Sequence, residues 1–213
     1  MTRKTCNQCM RPTALCYCSK IQPINNRLEL IIIQHPKESK HPFNTGNLVH
    51  QCLKNSTLMI KERLSIDELN QLLEVPCAIL YPSMTWLPEV PELTIEKSAD
   101  NQFHINGDTE LSHAVKRLIV IDATWRKSKK MMFQHSQLQL VPRVSLIGNL
   151  KSNYRIRNSK LSGALNSVES VHLAFKTLEP ENHFENMIEV FEHMVTSQLS
   201  YQINTRNNNE DRS

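Results

Sequence analysis

The 213-residue sequence lacks any apolar run long enough to cross a membrane: residues 28–33 form a short hydrophobic stretch where roughly 20 positions are needed. No secretory leader is expected either, because the first ten residues carry Cys6 and Cys9 where an apolar core would have to be. A cytoplasmic protein with no membrane partner is the expectation. In that compartment six cysteines are better read as metal ligands or buried thiols than as disulfides. The third shortage is local. Residues 111–160 hold eleven Lys/Arg against a single carboxylate, and residues 1–60 hold eight against two. The acid is concentrated in 61–110, with ten Asp/Glu against three Lys/Arg, and in 161–213, with eight against three. The net charge of +4 therefore conceals two basic blocks able to steer a polyanion, although charge alone does not separate nucleic acid from a solvated basic helix.

What is present centres on residues 117–133. Leu118 to Ile121 is a β-branched apolar run, the pattern of a strand buried on both faces, and it ends at Asp122. Asp122 and Thr124 can each cap a helix running through Trp125-Arg-Lys-Ser-Lys-Lys-Met-Met. Both polar side chains then sit at the carboxyl edge of a strand, where open α/β sheets bind ligands. The plainer reading of Asp122 is a helix cap. Further strands are predicted at 28–33, 57–60, 77–81 and 141–147, and helices from Asn44 or Thr45 through Leu53, over 65–74 with a Ser-x-x-Glu capping box, and over 166–178. A last amphipathic helix over about 182–202 spaces Phe184, Met187, Ile188, Phe191 and Met194 for core packing. Residues 84–113 read as a long, weakly periodic excursion, and the tail from Asn204 as disordered. Length and pattern together give one main α/β domain with a small appendage.

Cys6, Cys9, Cys16 and Cys18 place four thiols within thirteen positions. Two close pairs joined by a short loop suit tetrahedral zinc, and four thiolates leave no open position, so such a zinc is structural. A redox pair or free thiols are the alternatives. Arg3, Lys4, Arg11 and Lys20 flank the cluster; they suit phosphate contacts or simply keep the module soluble.

Asp122-x-Thr124-Trp125 followed by a cationic, Met-rich helix resembles the DTW-domain family of tRNA-uridine aminocarboxypropyltransferases, themselves similar to SPOUT RNA-modifying enzymes. The resemblance extends to the Cys-x-x-Cys-x-Arg-Pro-x-x-x-Cys-x-Cys module, to the loop bearing His35, Glu38, Asn44 and Thr45, to Tyr81-Pro82-Ser83, to Ser152-x-Tyr-x-Ile-Arg157, and to Ser167-x-Glu169. At the last of these the family more often has Ser-Thr-x-Glu-Ala where this chain has Asn166-Ser-Val-Glu-Ser170.

Membership implies an α/β fold with a SPOUT-like knotted parallel sheet flanked by helices. The division would be a four-cysteine zinc-binding module over 1–24, the transferase domain over 25–203 and a tail over 204–213. It implies S-adenosylmethionine as cofactor, tRNA as partner, and transfer of the 3-amino-3-carboxypropyl group to N3 of a uridine with release of 5′-methylthioadenosine. The residues carried over for cofactor binding are Tyr81, Pro82, Ser83, Asp122, Thr124, Trp125, Arg157, Ser167 and Glu169, with Asp122 as catalytic base or positioning group. Arg11, Arg126, Lys127, Lys129, Lys130 and Arg155 are the expected phosphate contacts, and Trp125 serves either as a stacking surface or as core. A ribosomal RNA aminocarboxypropyltransferase, a SPOUT methyltransferase and a non-catalytic zinc-bearing RNA-binding protein are the rival readings.

Overall fold

The computed structural model describes residues 4–41, 43–98, 102–148, 150 and 165–210. Among these, seven strands form one sheet: β1 (Glu29–Gln34), β2 (Ser56–Ile60), β3 (Cys77–Leu80), β4 (Glu92–Lys97), β5 (Phe103–Gly107), β6 (Arg117–Asp122) and β7 (Arg143–Ile147). The order is β2-β1-β6-β3-β7-β4-β5, and every neighbouring pair is parallel except the β4–β5 hairpin. The helices are α1 (Pro36–Ser39), α2 (Thr45–Cys52), α3 (Ile66–Leu73), α4 (Thr109–Ala114), α5 (Trp125–Gln134), α6 (Ser136–Gln139), α7 (Ser167–Leu178) and α8 (Glu185–Glu210).

The apolar run ending at Asp122 is, as its composition requires, a strand covered on both sides. Successive side chains point to opposite faces. Leu118 and Val120 join Leu30 and Ile32 in a core closed by Leu48 and Val49 of α2, Val171 and Phe175 of α7, and Met187, Phe191 and Met194 of α8. Ile119 and Ile121 join Ile31 and Ile33 in a second core with Leu69 and Leu72 of α3, Met131 and Met132 of α5, and Leu138 of α6. The two faces are closed by different helices, which gives the expected layered α/β architecture with a mostly parallel sheet.

Local chemistry fixes the helix starts. Ser65 Oγ accepts from the Glu68 amide at 3.2 Å while Glu68 Oε2 accepts from the Ser65 amide at 2.9 Å, the reciprocal capping box that the sequence predicts. Asn166 and Glu169 form the same device at α7. At the far end of α7, Glu179 is fully buried and accepts from the amides of Arg27, at 3.0 Å, and Leu28. The approach to β1 is thereby pinned to the α7–α8 turn.

Two features differ from the sequence reading. Residues 84–113 are an integral part of the sheet: β4 pairs with β7, and β5 closes that edge antiparallel to β4, followed by α4. The polar stretch from Asn204 is helical to Glu210 as the continuation of α8, so the expected disordered tail is corrected there. A knotted path would depend on the connection between β7 and α7, and residues 151–164 lie outside those described. No helix among the described residues is long and apolar enough to cross a membrane.

Candidate active site and metal cluster

Asp122 closes β6, in parallel register with Gln34 at the end of β1. Both are polar residues ending apolar strands, and both are buried, Gln34 fully and Asp122 to within 6%. Gln34 Nε2 donates to Asp122 Oδ2 and to Asn44 Oδ1, each at 2.6 Å. Asn44 in turn caps α2 by accepting from the Asn47 amide at 2.9 Å. The other carboxylate oxygen, Oδ1, accepts from Ser167 Oγ at the start of α7 and from Thr45 Oγ1, at 3.4 Å, at the start of α2. The Asp122 carbonyl accepts from the His35 amide at 3.0 Å. One carboxylate thus ties together two strand ends and two helix starts.

Gly46 shows how tightly this node is built. A Cβ placed there would stand 2.5 Å from Asp122 Oδ2 and 2.6 Å from Gln34 Nε2, so the helix backbone approaches as closely as it does only because the side chain is missing.

The sequence-derived residues distribute around this node unevenly. Thr124 is the N-cap of α5, but its hydroxyl makes no capping bond, and Trp125 opens the helix 38% exposed. Trp125 meets the buried Tyr81 ring edge-on, 5.7 Å between centroids at 81°. Burial pushes the Tyr81 phenol up in pKa. Pro82 is half-buried after β3, and Ser83 Oγ donates to Glu92 Oε2 at 2.6 Å, which ties Ser83 to β4. Ser167 lies directly on Asp122. Glu169, 9% exposed, accepts from the Asn166 amide at 3.0 Å as its capping partner. Arg155 and Arg157 lie outside the described residues.

A second charged group borders the node. Lys127 Nζ donates to Glu38 Oε1 at 2.7 Å, with Glu38 buried in α1, and Lys130 Nζ donates to Glu62 Oε1 at 2.6 Å. His35 Nδ1 accepts from the Lys37 amide at 3.0 Å, which leaves the proton on Nε2, 3.5 Å from Glu62 Oε2. Burial first, then the Lys127 cation, hold the His35 pKa below its ordinary value. The lysines of α5 therefore divide: Lys127 and Lys130 are paired with carboxylates, whereas Lys129 stands 5.1 Å from the Trp86 ring centroid.

Arg11 requires a correction. It is only 4% exposed, donates to Gln198 Oε1 of α8 at 2.9 Å, and lies 5.9 Å from the Tyr17 ring centroid and 5.7 Å from that of Phe43. A guanidinium so placed fastens the N-terminal module to the main domain and offers no surface to a phosphate. Gln34 is the member of the node that sequence reasoning missed. The available signal was that Gln34 and Asp122 occupy the same place, the first polar residue after an apolar strand.

Sulfur atoms of Cys6, Cys9, Cys16 and Cys18 all lie within 4.8 Å of one another, with Cys6–Cys18 and Cys9–Cys16 each at 3.7 Å. Thiolates bound tetrahedrally at about 2.3 Å must be about 3.8 Å apart, so the four can hold a metal ion with little rearrangement. Backbone amides of Cys9 and Gln8 pull the Cys6 thiol down to about 6, whereas burial pushes Cys9 and Cys18 up. Met10, at φ 59°, makes the left-handed turn that returns the chain after Cys9. The module is docked through Tyr17, which is buried, through Asn47 and Gln51 of α2 donating to the Gln8 carbonyl at 3.2 and 2.9 Å, and through Asn186 of α8 accepting from the Gln22 amide at 2.9 Å.

The profile of the DTW domain matches residues 3–199 of the chain. Similar sequences include tRNA-uridine aminocarboxypropyltransferase A of Arabidopsis thaliana, 28% identical over 93% of this chain and 82% of that protein. Proteins named tRNA-uridine aminocarboxypropyltransferase 2 from Macaca fascicularis and Mus musculus are 26% and 27% identical, again over 93% of this chain. The chain spans 65% of the length of these two animal relatives. No solved structure matches it.

Gly46→Ala tests the tightness of the node. Alanine exceeds glycine in helix propensity by about 1 kcal/mol, so on propensity alone the variant would gain stability. Overpacking against two buried, mutually bonded side chains costs roughly 1–3 kcal/mol. The expected outcome in urea denaturation is a net loss of up to about 2 kcal/mol; a gain would show that Asp122 and Gln34 are free to move aside.

Proposed function

Because the chain belongs to the DTW-domain family, we propose that it is a tRNA-uridine aminocarboxypropyltransferase, moving the 3-amino-3-carboxypropyl group of S-adenosylmethionine to N3 of a uridine and releasing 5′-methylthioadenosine. The observation that carries this reading is the similarity to proteins of that name over 93% of the chain, which spans both the cysteine module and the Asp122 node. The proposal includes a SPOUT-like knotted fold and a cytoplasmic location.

The node suits such a cofactor on the chemistry of its donor set. Polar side chains converge at the carboxyl edge of a mostly parallel sheet, next to the starts of α2, α5 and α7. Bound S-adenosylmethionine supplies a sulfonium whose neighbouring carbons accept a nucleophile as the carbon–sulfur electron pair returns to sulfur. The protein's task is selection among those carbons, which is a matter of alignment. In this reading Asp122 or Glu169 matches the methionine ammonium and Arg157 the carboxylate, while Tyr81, Pro82, Ser83, Thr124, Trp125 and Ser167 shape the remaining wall. Both oxygens of Asp122 are already engaged by Gln34, Ser167 and Thr45. That favours Asp122 as a positioning group over a base for the uridine N3 proton. The target uridine must be unpaired or flipped out, because N3 is engaged in Watson–Crick pairing. Arg126, Lys127, Lys129, Lys130 and Arg155 are the proposed phosphate contacts, with Lys127 and Lys130 already sharing their charge with Glu38 and Glu62.

Zinc is the metal proposed for Cys6, Cys9, Cys16 and Cys18, in a closed structural site. Elemental analysis of the purified protein should give one zinc per chain. Chelation should lower the melting temperature by roughly 5–10 °C, because the module packs on α2 and α8. Zinc-free protein of unchanged stability would contradict the assignment.

The activity is tested by mass spectrometry of nucleosides from unmodified tRNA incubated with protein and S-adenosylmethionine. Wild type should add the aminocarboxypropyl mass to a uridine with methylthioadenosine as by-product, and Asp122→Ala should reduce the yield at least about 100-fold. S-adenosylhomocysteine as by-product would indicate a methyltransferase, and product on ribosomal RNA alone would reassign the substrate.

A further inference from the structure

Helix α5 buries one face and leaves the other in solvent. Ser128, Met131 and Met132 point into the core, whereas Trp125, Arg126, Lys129, Lys130 and Phe133 are exposed. Positions 125, 129 and 133 recur at four-residue spacing, so an aromatic, a cation and an aromatic follow one another along one side of the helix. Phe133 is 55% exposed and Trp125 38%, so two aromatic side chains reach solvent on the same side of the helix.

The stripe is braced from behind. Trp86, in the segment between β3 and β4, stacks on Phe133 with centroids 4.7 Å apart at 25°. Lys129 Nζ stands 5.1 Å from the Trp86 centroid and 5.8 Å from that of Phe133. Tyr81 is edge-on to both Trp86, at 6.3 Å and 82°, and Trp125, at 5.7 Å and 81°. Four rings therefore hold one another in fixed orientations, starting three residues from Asp122 and running outward along the helix.

We infer that this stripe is a stacking platform for unpaired RNA bases, with a base on Phe133 over its Trp86 backing and Lys129 and Arg126 meeting the adjoining phosphates. Ordered aromatic faces interleaved with cations match a single strand, which presents a π-face and an anion at every nucleotide. An apolar protein partner would have to desolvate those cations without compensation. The inference rests on the RNA-modifying reading and adds to it where the nucleotides beside the target uridine are held.

The chain contains two tryptophans, Trp86 and Trp125, both in this cluster, so its intrinsic fluorescence reports on the platform. A short unstructured RNA should quench that emission, and inorganic polyphosphate should not. Phe133→Ala should weaken RNA affinity about tenfold with the salt dependence unchanged, and Phe133→Tyr should restore it. Lys129→Gln should instead lower the slope of log affinity against log salt by about one. Phe133→Ala also gives up the stacked contact with Trp86, so affinities are compared at a temperature where circular dichroism shows both proteins folded, and Phe133→Tyr keeps the stack. Wild-type affinity in Phe133→Ala, or equal quenching by polyphosphate, would overturn the platform. Self-association that vanishes in Phe133→Ala, with RNA affinity intact, would assign the surface to a second copy of the chain and overturn it as well. Modified nucleoside without quenching would remove the platform and leave the reaction standing; quenching without product would do the reverse.

Discussion

The Asp122 carboxylate is the contact on which the carboxyl edge of the sheet depends. It is the sole acidic residue between positions 111 and 160, in a block otherwise rich in Lys and Arg. It is buried, and its partners are neutral donors from three places: Gln34 on the neighbouring strand, Thr45 at the start of α2 and Ser167 at the start of α7. A buried carboxylate is costly unless its lone pairs are satisfied, and here the satisfaction comes from elements distant in sequence. The same bonds that make the burial tolerable bring the helix starts to one strand edge. Removing a single donor would leave a buried acceptor short and loosen the junction at the same time.

The remaining architecture supports that edge from both sides. Alternation along β1, β6 and β3 supplies two apolar faces, and each face is closed by its own helices. The cysteine module is fastened to α2 through Asn47 and Gln51 and to α8 through Arg11 and Asn186. Helix α2 therefore connects the two sites: Asn44, Thr45 and Gly46 at its start belong to the Asp122 node, and Gln51 near its end bonds the Gln8 carbonyl and lies 3.6 Å from Cys18 Sγ. The four-cysteine cluster and the Asp122 node share one helix.

Much of this was legible in the sequence because its signals are local. The apolar runs at 28–33 and 118–121, the Ser65–Glu68 box and the paired cysteines each state their structure within a few residues. What stayed hidden depends on distant partners. β4 carries only two buried apolar side chains, Leu93 and Ile95, among acidic and polar neighbours, and it becomes a strand through pairing with β7, some fifty residues later. Arg11 reads as a surface cation until Phe43 and Gln198 come to lie beside it. The polar residues after Asn204 have no periodicity of their own and continue a helix begun by Glu185. Gln34 required knowing that β1 and β6 are neighbours in register.

The central claim is that the Asp122 node forms a cofactor site. Its most direct test is calorimetric titration of S-adenosylmethionine into wild-type protein and into Asp122→Asn, which preserves the shape of the side chain and removes its charge. Saturable binding by wild type, weakened at least about tenfold in the variant with the fold intact, is the predicted result. Equal affinity in the two proteins, or no binding by either, would contradict it.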